Sequence, residues 1–145
     1  MEFLLDYDFK IWGNSWEKAS SKIQEKWQKR AAIGDDFSKV CASSKINLNF
    51  IRKQNILAHN MRTFEIPAAG GFMLSNQAAE QSEILSDKMI ASFSSPIEMR
   101  EKIKFYLAND SKRILMAENA HNLVIQNHTY SQRAEFIESV LENSI

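Results

Sequence analysis

The chain has 145 residues, 44% hydrophobic and 25% charged, a balance that suits one globular domain with enough apolar mass for a core. Its 18 basic and 18 acidic side chains cancel, which argues against nucleic acid or an anionic membrane as the main partner, since both reward a basic excess. One cysteine, Cys41, excludes an intrachain disulfide and a multi-cysteine zinc site; the acidic opening "MEFLLDYDFK" is no signal peptide, no apolar run approaches the roughly 18 residues of a membrane span, and a cytoplasmic location is the expectation.

In chain order, "YDFKIWG" (Tyr7–Gly13) alternates Phe9 and Ile11 with polar residues and ends in glycine, the pattern of a strand. A polar helix is predicted from about Ser15 through "SWEKASSKIQEKWQKR", giving way to a short strand near Ala31–Ile33. "DDFSKVCASSK" reads as a helix behind two caps, Asp35 and Asp36. "INLNF" (Ile46–Phe50) is a strand by alternation. "GFML" (Gly71–Leu74) has the continuous apolar run of a strand covered on both faces, and "KMIASF" (Lys88–Phe93) predicts another.

The last third is the easiest to read. "SPIE" (Ser95–Glu98) combines a capping box with a first-turn proline, and Met99, Ile103, Tyr106 and Leu107 follow at helical spacing. A helix from Asp110 or Ser111 to about Gln126 carries Ile114, Ala117, His121 and Val124 on one stripe. "TYSQ" (Thr129–Gln132) is a second capping box, opening a helix whose Tyr130, Ala134, Ile137 and Leu141 are expected to face inward. Short strands alternating with helices predict an α/β fold: a Rossmann-like open, mostly parallel sheet with helices on both faces and a helical C-terminal tail.

In such sheets ligands sit beyond the carboxyl ends of the strands. Asn60, after the strand Ile46–Phe50, can cap a helix from about Met61, leaving the amides of Met61 to Thr63 as donors for an anion. Arg62 has the wrong sign for that helix end, a penalty of about 0.3–1 kcal/mol. A phosphate would turn the penalty into a clamp. Glu65 could accept two hydrogen bonds from ribose hydroxyls. Pro67 should keep the helix short, and Gly70–Gly71 permit a tight exit. The bland alternative stays open: Arg62 and Glu65 as a surface i,i+3 ion pair.

The run "SSKINLNFIRKQNILAHNMRTFEIPAAGGFMLSN" resembles the donor-binding domain of group 1 glycosyltransferases of GT-B architecture, nearest the spore-coat-protein-like branch with its "N-x-R-x-F-E-x-x-A-x-G-G-F-x-L" pattern. "FKIWGNSW" upstream and the closing helices with "H-T-Y-x-x-R" downstream are similar too, so the likeness covers nearly the whole chain. The resemblance implies a domain that binds a nucleoside-diphosphate sugar for transfer to a hydroxyl acceptor. It puts diphosphate contact on Asn60, Arg62 and Thr63 and ribose contact on Glu65, with Gly34 near the nucleobase; His59, which stands beside the motif, is a further candidate ligand contact. No cofactor or metal is implied.

Departures from the family bear on activity. The wider family has a second Glu eight positions before Glu65, where this chain has Leu57. A GT-B enzyme has two Rossmann domains, and this length fits one. The expectation is therefore a single domain over 1–145, the donor half, beginning after its first βα unit. Another segment, a partner chain or a rearranged fold would fill the missing strand's place. The implied partners are the donor and an N-terminal acceptor domain or partner chain, with oligomers open and hexosyl transfer absent from the chain alone. A different class, a non-catalytic α/β interaction module with a vestigial or regulatory phosphate site, is the alternative.

Other residues are discounted. His121 and His128, seven apart, lack further ligands at metal spacing. Asp35–Asp36 resemble a receiver-domain acidic pocket but are better explained as caps. Cys41 reads as a small core residue. Trp12 suits a strand core, Trp16 and Trp27 an interface. Asp6-Tyr7-Asp8 lies before the first strand, on the wrong side for a metal-bound ligand.

Overall fold

The computed structural model describes residues 2–52, 54 and 57–143. Two compact units make up the chain, Met1–Val40 and Cys41–Ile145.

In the first unit regular structure is sparse. The predicted strand at Tyr7–Gly13 is reduced to one parallel bridge between Ile11 and Trp27, in which Ile11 N donates to Lys26 O and Gln28 N to Ile11 O, both at 2.9 Å. The long polar helix is also absent: α1 spans only Ser21–Gln24, and 31–33 is not a strand. Ser15 and Lys29 both adopt left-handed backbone (φ 68° and 57°), which ends any regular run on either side. With Ile23 the sole buried residue of α1, little tertiary packing offsets the cost of helix nucleation. Trp27 Nε1 donates to Gly13 O at 2.6 Å, and the Arg30 guanidinium stacks 4.9 Å from the Trp12 ring while pairing with Asp36 at 2.5 Å. That Arg30 partner holds the Asp36 carboxyl below its ordinary range. The acid is thus paired and sits in the first turn of α2, Asp35–Ser43.

The second unit is a three-stranded parallel sheet flanked by helices, an open Rossmann-like arrangement as expected. Its strands are β1 (Asn47–Asn49), β2 (Met73–Asn76) and β3 (Ala91–Phe93), in the order β1-β2-β3. Leu48 stands opposite Leu74, and Ser75 opposite Ser92. Met73, Leu74 and Ser75 are all buried, as a central strand covered on both faces requires. The connections carry α3 (Arg62–Ala68) and α4 (Ala79–Ile84); α5 (Pro96–Ala108), α6 (Asp110–Asn127) and α7 (Tyr130–Glu142) close the chain.

Helix α3 stops through a Schellman turn. Gly70 N donates to Pro67 O at 2.8 Å and Gly71 N to Ile66 O at 3.0 Å, with Gly70 left-handed at φ 75°. Ser95 caps α5 by accepting from Glu98 N, while the Glu98 carboxylate reaches back to Ser94 N and Oγ, each at 2.7 Å. The Thr129–Gln132 capping box of α7 is complete in both directions.

Two expected faces differ. In α6 the buried stripe is Arg113, Met116, Ala117, Ala120 and Val124, and Ile114 is exposed. Arg113 turns inward because its guanidinium donates to Tyr106 O at the end of α5 and to Asp110 at 2.7 Å. In α7 no residue is buried; Tyr130, Ile137 and Leu141 are 82%, 59% and 61% exposed rather than inward. The helical period is present, but no other described element covers it.

Candidate functional site

Side-chain amides finish the carboxyl edge of the sheet. Asn49, the last residue of β1, is buried and exchanges two hydrogen bonds with Asn60: Asn60 Nδ2 to Asn49 Oδ1 at 2.9 Å, and Asn49 Nδ2 to Asn60 Oδ1 at 3.2 Å. Asn76, the last residue of β2, brackets Ile51 in the same way, accepting from its N at 2.6 Å and donating to its O at 3.1 Å. Both strand ends are thereby tied to the connection that leads into α3.

The N-cap of α3 is Met61, one residue past the expected Asn60, and Asn60 covers the first turn with a consequence that differs from the expectation. Thr63 N is taken by Asn60 itself, through its main-chain O at 3.0 Å and its Oδ1 at 3.2 Å. Thr63 is fully buried and its hydroxyl accepts from Gln81 Nε2 at 3.0 Å. The outward-pointing Thr63 amide is therefore corrected: it is satisfied within the protein, and in this conformation a ligand cannot reach the residue.

Arg62 and Glu65 are where the helical spacing puts them, on the outer surface of α3 beside the sheet's carboxyl edge. They bond to each other, Arg62 Nη1 to Glu65 Oε2, at 2.5 Å, with side chains 47% and 34% exposed. Both charges also act on the buried Cys41. Its thiol is pushed up to about 11 by burial, with Arg62 opposing and Glu65 reinforcing the shift. That thiol is a core group, as its sequence neighbours suggested.

A second group of side chains surrounds Phe64, between Arg62 and Glu65. His59 meets the Phe64 ring edge-on at 5.1 Å, His128 tilts against it at 5.3 Å, and the Arg133 guanidinium lies 4.5 Å from its centroid. His59 Nδ1 is 3.3 Å from Glu80 Oε2 without the alignment of a hydrogen bond, so this buried atom has no hydrogen-bond partner among the described residues. The His128 pKa is lowered, first by burial and then by the charges of Arg133 and His59. Sequence reasoning placed His59 beside the motif and noted "H-T-Y-x-x-R", yet gave His128 and Arg133 no role. Their convergence on Phe64 depends on how α6 returns along α3.

Gly34 belongs to the first unit, where it makes a left-handed turn (φ 55°) at the entrance to α2. Leu57 is 72% exposed. His121 Nδ1 lies 3.0 Å from Pro67 O; a carbonyl can only accept, so this nitrogen carries the proton. Among the described residues no group of three or more His, Cys, Asp or Glu side chains could hold a metal ion, and no helix is long and apolar enough to cross a membrane.

No curated protein and no solved structure matches the chain. A family model does: over residues 1–139 the sequence fits the family described as glycosyl transferase-like. The strand that leads to the Arg62–Glu65 segment, the Gly70–Gly71 exit and the capped closing helices all fall within that match, and the chain belongs to the glycosyl transferase-like family.

Proposed function

We propose that the chain is the donor-binding half of a GT-B glycosyltransferase of the spore-coat-protein-like branch, holding a nucleoside-diphosphate sugar at the start of α3 for transfer to a hydroxyl acceptor. The observation that carries this reading is the Arg62–Glu65 pair, half-exposed at the carboxyl edge of a parallel sheet. A guanidinium there can take two phosphate oxygens at once and stabilise the charge that develops on the leaving diphosphate, a role that in other sites falls to a metal ion. Freed from Arg62, the Glu65 carboxylate becomes an acceptor for the ribose hydroxyls. Thr63 stays in the protein's own network and orients Asn60. The acceptor and the remaining catalytic groups come from a second domain or a partner chain.

One observation favours the alternative, a non-catalytic interaction module. Arg62 and Glu65 are already bonded to each other, and the Thr63 amide is already satisfied, as a vestigial site would be. Calorimetric titration of the full chain with uridine, guanosine and adenosine diphosphates separates the two. The donor reading expects weak binding of at least one of them and a loss on Arg62→Ala. A folded chain that binds none sinks it.

A further inference from the structure

We infer that the C-terminal motif forms a second wall of the same site: His128 and Arg133, with His59, surround the Phe64 ring as a hydrogen-bond-donating pocket for phosphate oxygens. The inference rests on the donor reading, and it assigns the ligand's anion contacts to a part of the fold far along the sequence from Arg62.

The topology brings the motif there. Helix α6 runs back along α3, with His121 beside Pro67 near the end of α3 and His128 beside Phe64 in its first turns. The corner between α6 and α7 therefore lies next to the start of α3. Asn60 ties that start to the carboxyl end of β1. A ligand at the sheet edge would thus meet α3 on one side and the α6–α7 corner on the other.

The charges are arranged for an anion. Three basic side chains touch one aromatic ring, and among the described residues Arg133 has no carboxylate partner and His128 no side-chain hydrogen bond. Among the described residues the acid recorded at the cluster is Glu80, 3.3 Å from His59 and half-exposed. Arg133 supplies the standing positive charge over the ring, while burial and that charge hold His128 towards its neutral, still hydrogen-bonding form. A phosphate oxygen would give Arg133 and His128 the hydrogen-bond acceptor they lack. The Arg133–Phe64 contact is also the means by which α7 touches α3, so a purely structural clasp is the competing account.

The test uses inorganic pyrophosphate as probe, titrated into the full-length chain at low salt. Calorimetry is run alongside NMR of the histidine rings. Arg133→Gln and His128→Gln are each expected to weaken binding about tenfold, the loss of one charge-assisted hydrogen bond. Thermal unfolding of both variants should stay close to wild type, and the His128 ring resonances of the wild-type chain should move on titration. Should Arg62→Ala weaken binding while the Gln variants and the His128 resonances stay unmoved, the pocket is refuted and the donor reading stands. The reverse result, Arg133→Gln weak and Arg62→Ala unchanged, supports the pocket and removes the diphosphate from Arg62. A folded chain that binds no pyrophosphate overturns both. If Arg133→Gln loosens α7, the His128→Gln titration and the wild-type spectra decide alone.

Discussion

Gly71→Ala is the sharpest probe of how α3 is seated against the sheet. A Cβ at this position would lie 2.6 Å from Asn47 Nδ2, 2.9 Å from Cys41 O and 3.2 Å from Ile66 Cγ2. Ordinary non-bonded contacts lie near 3.5–4.0 Å, so something must move. Cys41 O belongs to the backbone at the end of α2. Asn47 Nδ2 donates to Cys41 O at 3.0 Å and to Phe72 O at 3.2 Å, and cannot swing aside without losing both bonds. Overpacking of this kind costs about 1–3 kcal/mol, and each net hydrogen bond lost adds about 0.5–1.5 kcal/mol. Partial relaxation gives about 3 kcal/mol in all, near 10 °C in the melting temperature for a chain of this size. Gly70→Ala is the control. Its Cβ would meet nothing within 4 Å, and the only penalty is the left-handed backbone, about 1–2 kcal/mol. Scanning calorimetry of the two variants beside wild type settles the order. If Gly71→Ala melts at or above Gly70→Ala, the close approach of α3, Asn47 and Cys41 is wrong.

Two further outcomes follow from the helices. The Glu98 carboxyl is held down to about 2, first by its hydrogen bond from Lys102 and then by those from Ser94, against an ordinary value of 4.5. The stabilisation is therefore full above pH 4.5 and fades as pH falls towards 2. The melting difference between wild type and Glu98→Gln should shrink across that window, and a constant difference would contradict the assigned pairing. Ending the chain after His128 removes α7, which buries no residue, so urea unfolding of the remainder should shift by little more than the Arg133–Phe64 contact and the Gln132 bond to Gln126 O, about 1–2 kcal/mol. A loss of several kcal/mol would show that α7 is packed after all.

What could be read in advance depends on the range over which each feature is decided. The caps at Ser95 and Thr129 are settled within four residues, and both were legible. So was the parallel sheet, because the apolar run at 71–74 and the alternation at 46–50 need only local pattern. The α6 stripe was misread at Ile114 because Arg113 is drawn inward by a carbonyl of the preceding helix, Tyr106 O. Tyr7–Gly13 has the alternation of a strand, but among the described residues only Ile11 forms a ladder bridge. At the site, the motif made Arg62 and Glu65 visible. Asn60 was read as a cap; it stands one residue before the N-cap, Met61, and the correction at Thr63 follows because the Asn60 oxygens use the amide they satisfy. The Asn49–Asn60 exchange and the gathering round Phe64 link residues 11 and more than 60 positions apart, which no local pattern encodes.

The amides of Asn49 and Asn76 act as extra rungs beyond the last true rungs of the ladder, each gripping the incoming connection by both a donor and an acceptor. An architecture of this sort lets two side chains, rather than main-chain pairing, decide where the chain re-enters above the sheet. A single exchange at Asn49 or Asn76 would therefore reset the rim while the paired strands beneath it are left alone.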